Sequence, residues 1–292
     1  MQGTVDGFGY GLVTPVAAYL MACLGGALGL RCTARAVRAE GSFRPGWLAL
    51  GATAIGSGIW SMHFIAMMGF SVEEAPIGYD RATTFASLAA AILMVGTGIF
   101  IVGYRGATRM SLITGGTITG LGVASMHYLG MAGIRLPGHI EYDTVTVGLS
   151  VVVAVVAATT ALWAAVSVSG FMASLGASLV MGLAVSGMHY TGMAAVSVRL
   201  HEVVDAAAVT DPPVGALAPV LVGPAVFLLL AAVVVMFDPL LVMGEPDGRP
   251  HGAGRALRPD MAAVTHRRPA AWAADPGRRD HRTGGRLGGD RP

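Results

Sequence analysis

Three histidines, His63, His127 and His189, recur along the chain 64 and then 62 residues apart, each inside the same short motif. The copies read Ser61-Met62-His63-Phe64-Ile65-Ala66-Met67, Ser125-Met126-His127-Tyr128-Leu129-Gly130-Met131 and Gly187-Met188-His189-Tyr190-Thr191-Gly192-Met193. Every His follows a methionine (Met62, Met126, Met188) and precedes another by four residues (Met67, Met131, Met193). Imidazole and thioether together suit copper, and Met in particular favours Cu(I), whereas Mg and Ca seek oxygen ligands. Haem is the nearest rival, because iron accepts His and Met axially. Zinc would be content with three His but leaves the paired methionines unexplained. Taken singly, a Met is more often a filler of apolar gaps than a ligand, and a lone His is as often hydrogen-bonded as ligating. It is the repetition, with Met at −1 and +4 each time, that points to a metal or cofactor site.

The elements that carry these residues are apolar and long. The 292 residues are 54% hydrophobic and 12% charged, with a mean hydropathy of +0.64; soluble domains carry about twice that charged fraction. Seven segments approach or exceed the roughly 20 apolar residues that a membrane helix needs: 10–30, 46–70, 82–104, 110–134, 144–168, 171–196 and 214–237. Pro15, Pro219 and Pro224 do not veto helix there, since Pro and Gly are common in membrane spans. The sequence thus predicts an all-α, polytopic membrane bundle of seven transmembrane helices, six of them in three two-helix repeats. Because each repeat is two spans long, the motifs fall on parallel helices 2, 4 and 6, each in the last third. At about 100° per residue, His and the +4 Met share a helix face. Gly56, Gly120 and Gly182, seven residues before each His, fall on that face too, and are expected to let the three helices meet in a tight seam.

All 19 basic residues are Arg, and ten lie in the last 49 positions. Arg31, Arg35, Arg38 and Arg44 fall between spans 1 and 2, and Arg105 and Arg109 between spans 3 and 4. The loops after spans 2, 4 and 6 are acidic, holding Glu73, Glu74, Asp80, Glu141, Asp143, Glu202, Asp205 and Asp211. Basic loops stay in the cytoplasm, so the N-terminus is expected outside and the C-terminus inside, with the motifs near the outer face. A net charge of +2 gives no reason to expect a nucleic-acid partner; the bilayer is the expected one. Residues 1–9 lack the basic start of a cleavable signal. Cys23 and Cys32 are not spaced as CxxC and read as small packing residues. Tyr128 and Tyr190 have either support of a ligating His or ordinary interfacial anchoring open to them. His139 and His201, each 12 residues after a motif His in outer loops, either admit metal or do nothing special.

At the triplicated motif the sequence resembles the MHYT family of bacterial integral-membrane sensory domains, over about residues 8–240. The resemblance implies six helices and often a seventh linking one, in the bacterial cytoplasmic membrane. It also implies a copper site sensing a diatomic gas (oxygen, carbon monoxide or nitric oxide), carried here onto His63, His127, His189 and their Met neighbours. The expected organisation is an external N-terminus (1–9), the sensory domain (10–212), a seventh helix (213–243) and a basic cytoplasmic tail (244–292). That tail, rich in Arg, Gly and Pro, is expected to be disordered. Family sensors often carry cytoplasmic output modules, so a signal from this chain is expected to leave through a separate partner. Phe64 departs from the motif's Tyr. The rival function is transport of copper or another soft metal, which needs donors staged along a path. No nucleophile–base pair or HExxH motif suggests an enzyme, and a retinal Schiff base is closed to a chain without Lys.

Overall fold

A computed structural model describes residues 2–7, 9–38, 43–167, 170–201 and 213–237. Seven helices dominate it: α1 (Val13–Arg38), α2 (Arg44–Met68), α3 (Arg81–Arg105), α4 (Arg109–Ala132), α5 (Thr144–Ser167), α6 (Phe171–Ala194) and α7 (Pro213–Met236). All but α4 are long and apolar enough to cross a membrane. α4 is as long as its neighbours, but Ser111, Thr114, Thr117, Thr119 and five glycines lower its hydropathy. It packs between α3 and α5, where small polar residues cost less than against lipid.

The first six helices close into a ring. Sequential neighbours pack together from α1 to α6, and α6 packs back on α1. α7 stands outside the ring against α2 and α1, burying Leu228, Ala231 and Val235 in a cluster with Leu28, Cys32 and Ala54. Pro219 and Pro224 lie inside α7 without ending it.

Short strands cap one end of the ring, a feature the sequence reading lacks. They are β1 (Gln2–Gly3), β2 (Val5–Asp6), β3 (Ser71–Val72), β4 (Gly78–Tyr79), β5 (Ile134–Arg135), β6 (Gly138–Tyr142) and β7 (Val196–Leu200). β2 pairs with β3, β4 with β5 and β6 with β7, all antiparallel. Each pair therefore joins the chain entering an odd helix to the chain leaving the next even one, so the repeating unit is strand–helix–helix–strand. β1 extends the third pair through β7. The pairing satisfies backbone groups where the chain leaves its helices. Asp80 and Asp143 start the odd helices in the same way: each carboxylate accepts from the backbone N–H and hydroxyl of the Thr three residues on. The bonds from Thr83, with Arg135 behind them, hold the Asp80 carboxyl down at about 2.

Two expectations need correction. The first helix does not stop near residue 30 but continues to Arg38, so Arg31, Arg35 and Arg38 sit on its last turns rather than in a loop. Cations suit a helix C-terminus, and the Arg35 guanidinium lies 5.5 Å from the Trp47 ring centre. Nor do Gly56, Gly120 and Gly182 line a seam among α2, α4 and α6. A Cβ on Gly56 would come 3.0 Å from Ile92 Cα on α3, one on Gly120 2.7 Å from Val155 N on α5, and one on Gly182 2.5 Å from Cys23 Sγ on α1. Each glycine brings its even helix against the odd helix of the next repeat, the contact that closes the ring. The expected tail, 244–292, and the carboxylates Glu202, Asp205 and Asp211 lie outside the described residues.

Replacing Gly120 by Val is expected to destabilise the bundle by about 3 kcal/mol or more, because the collision is with backbone that cannot swing away. Gly176→Ala, where a Cβ meets nothing within 4 Å, should be neutral. Thermal unfolding and monodispersity in detergent would separate the two.

Candidate metal centre

Each motif His lies five positions before the last residue of its helix (Met68, Ala132, Ala194). The depth of those helix ends is fixed from outside. The carbonyls of Gly69, Gly133 and Ala195 accept the backbone N–H groups of Gly9, Asp80 and Asp143 at 2.8–2.9 Å. The three histidines therefore sit at one level, and α2, α4 and α6 turn them to a single point. His63, His127 and His189 are all buried, with at most 2% of any of them exposed.

Their Nδ1 atoms form a nearly equilateral triangle: 3.1 Å from His63 to His189, 3.2 Å from His127 to His63 and 3.3 Å from His189 to His127. The rings cross at 78–86° with centroids 4.9–5.2 Å apart, like blades of a propeller. An ion held about 2.0 Å from each nitrogen in tetrahedral geometry needs nitrogens about 3.3 Å apart. The triangle fits three corners of that tetrahedron. Without a cation, three acceptor lone pairs converge, and a proton on one ring serves only one neighbour well. Among the described residues no carboxylate or thiolate joins the cluster, so the donor set is neutral imidazole.

Packing orients the rings. The aromatic residue of each motif meets its own His edge-on: Phe64 at 4.7 Å, Tyr128 at 4.8 Å and Tyr190 at 4.9 Å between centroids. Behind the His63 and His127 rings lies the residue three after the next motif's His. A Cβ on Gly130 would come 2.6 Å from His63 Nε2, and one on Gly192 2.5 Å from His127 Nε2. Both Nε2 atoms are buried and make no hydrogen bond; metal-binding histidines usually donate from that nitrogen, so backbone contact stands here in its place. The sequence carried this signal in the small +3 residues Ala66, Gly130 and Gly192, which sequence reading passed over.

Tyr128 turns its hydroxyl to a neighbouring helix. The Tyr128 hydroxyl donates to Ser150 Oγ on α5 at 2.6 Å, and Ser150 donates on to Val147 O. In the first repeat Phe64 has no hydroxyl, and Ser87, placed on α3 as Ser150 is on α5, receives the Trp60 indole N–H at 3.0 Å. Tyr79 roofs this motif, with its ring centre 6.4 Å from that of Phe64 and its hydroxyl donating to Met67 O; burial raises its phenol above the ordinary value.

Five of the motif methionines, Met62, Met67, Met126, Met131 and Met188, are buried, and Met193 packs at the margin of the core. They do not share one surrounding: Met131 lines an outer groove with Tyr128 and Tyr142, and Met188 an interior cavity. His139 and His201 come together on the β cap, ring centres 5.2 Å apart, apart from the buried cluster. Cys23 and Cys32 are buried free thiols.

The threefold repetition and this geometry define a polytopic membrane-helix domain with a shared three-histidine centre. The sequence matches the family described as "MHYT: Bacterial signalling protein N terminal repeat" at residues 56–115, 120–178 and 182–249, and the chain belongs to that family. Each match begins at or within one residue of the glycine that packs against the next odd helix. A bifunctional diguanylate cyclase/cyclic di-GMP phosphodiesterase of Pseudomonas aeruginosa, MucR, is 38% identical over 191 residues, 64% of this chain and 28% of that protein. The cyclic di-GMP phosphodiesterase NbdA of the same organism is 36% identical over 186 residues (61% and 23%). The signaling protein YkoW of Bacillus subtilis is 32% identical over 183 (60% and 23%). The chain spans about a quarter of the length of these curated relatives. No solved structure matches it.

Gly192→Ala drives a methyl group into the His127 ring, and is expected to weaken metal binding about 10- to 100-fold, the usual effect of disturbing a ligand's support. Gly187→Ala, in the same motif but with nothing within 4 Å of its Cβ, should bind as the parent does. Competition with a chelator of known affinity measures both.

Proposed function

We propose that this chain is the membrane-embedded input domain of a bacterial signalling system, binding copper at His63, His127 and His189 to sense a diatomic gas or redox state. The observation that carries the reading is the buried triangle of Nδ1 atoms 3.1–3.3 Å apart. Three neutral ligands leave the ion's charge uncompensated in an apolar interior, where solvation cost rises steeply with charge. That favours Cu(I) over divalent ions, and the buried methionines beside each His favour it too, as candidates for a fourth donor. A bound ion would supply a redox-active centre able to take a small ligand; the chain's own residues hold the histidines, exclude water and keep charge away.

In this reading all seven helices span the cytoplasmic membrane, with the β cap and triad toward the outside. Arg35 against Trp47, and Arg44 over Tyr104 at 5.2 Å, supply the basic and aromatic anchors of a cytoplasmic interface. The domain binds and signals, and it catalyses nothing. The activities of MucR and NbdA suggest that its output concerns cyclic di-GMP. Copper transport is the weaker reading. Below the triad the cavity is lined mostly by Ala, Val and Ile, and the thioethers of Met188 and Met181 are the soft donors in that lining.

Elemental analysis tests the proposal. Copper should co-purify stoichiometrically with the parent and fall to background in the His63→Ala/His127→Ala/His189→Ala variant. Equal copper in both would refute the site, and an optical haem band would replace it with the rival cofactor.

A further inference from the structure

Directly beneath the triad the ring encloses a cavity of about 40 Å³ that draws residues from all six of its helices. Ile59, Val123 and Val185 line it, each four residues, or about one helical turn, below a motif His. Leu30, Thr33 and Leu162 line it further down. Two hydroxyls interrupt the apolar lining. That of Thr33 is already given to Gly29 O, and that of Thr119 has no hydrogen-bond partner. A buried water needs two to four polar partners, and these two hydroxyls are the only oxygen or nitrogen side-chain groups in the lining. The space is larger than one water requires, and a lining this apolar favours an empty cavity over a filled one. A dry void forfeits dispersion contacts on all its walls, and a small apolar molecule would restore them.

The wall toward α5 is made of alanines, Ala154, Ala157, Ala158, Ala161 and Ala165. Outside it, α5 and α6 border a second, larger apolar groove of about 600 Å³. The residues flanking that groove, Val152, Val156 and Val180, are exposed where lipid would lie. Ala157, Ala161 and Met181 line both spaces, so no other residue layer separates them there. The Met181 methyl rests on Gly26 of α1, where any side chain would collide with it. Methionine turns about three bonds and adapts readily. Alanine stubs on one side and a swinging thioether on the other form a gate rather than a wall.

We infer that a small, uncharged, lipid-soluble molecule passes from the bilayer between α5 and α6, moves past Met181, and occupies the cavity one turn beneath the histidines. The ligand class is set by the lining: a few heavy atoms, no charge, no obligatory hydrogen bonds. The purpose of the cavity rests on the sensory reading, but its occupancy does not require a metal.

Xenon is the probe. The metal-free full chain in lipid nanodiscs should show a saturable xenon NMR site above the lipid background. Ala158→Phe, which fills the cavity, should abolish it. Ala158→Leu, a milder filling, should weaken it severalfold and serves if the Phe variant fails to fold. Met181→Trp should slow exchange severalfold while the site persists. Absence of a saturable site in the parent, full occupancy in both Ala158 variants, or unchanged exchange in Met181→Trp each overturns the inference. A xenon site in a protein that never binds copper leaves the inference standing and removes the metal reading; copper without a xenon site does the reverse.

Discussion

The whole arrangement depends on bringing three imidazole nitrogens to one point inside an apolar bundle. A histidine among hydrocarbon is expensive, and three aimed at one another add mutual repulsion to the cost of burial. The remaining features are conditions for that convergence. Depth comes from the helix ends, each tied through a carbonyl to the chain that enters an odd helix. Lateral approach comes from glycines that seat each even helix against the next odd one. Ring orientation comes from an aromatic edge on one side and a small residue on the other. An error in any one displaces a nitrogen, and a coordination shell tolerates only tenths of an ångström.

The three copies reach one geometry with different side chains, which separates what the centre needs from what it merely uses. The aromatic next to each His needs its ring: Phe64 packs on His63 at the same distance and tilt as Tyr128 on His127. The Tyr128 hydroxyl serves a separate end, tying α4 to Ser150 on α5. Where Phe64 has none, the Trp60 indole makes the corresponding link to Ser87. Tyr128 thus acts between helices through its hydroxyl, and only its ring meets the histidine.

Much of this was legible in the sequence because repetition amplifies weak signals. One intramembrane His says little, but three at 64- and 62-residue spacing fix the parallel helices, the common depth and the convergence. The glycines seven residues before each His were equally visible and were assigned to the wrong interface. Periodicity gives a face, and a residue 20° from another on that face can still touch a different neighbour in a closed ring. Most of the β cap is invisible in sequence because strands of two residues, such as Val5–Asp6 and Gly78–Tyr79, have no alternation to detect. The length of α1 escaped for another reason. Hydropathy ends at Leu30, but a helix with Arg at its C-terminal turns does not have to end there.

The ring is close to threefold around the histidines, whereas the route away from them is not. α7 rests on the first repeat, where Leu228, Ala231 and Val235 pack with Leu28 and Cys32 of α1 and Ala54 of α2. Ala54 is next to Ile55, which lines the cavity and also meets Gly29 of α1. The path from the interior to α7 is therefore one side-chain layer thick and confined to α1 and α2. α2 is also the helix that carries His63 and the Trp60 link, and it is buried along most of its length. On that side α7, rather than lipid, covers α1 and α2, so the threefold pattern of the ring is broken at the first repeat.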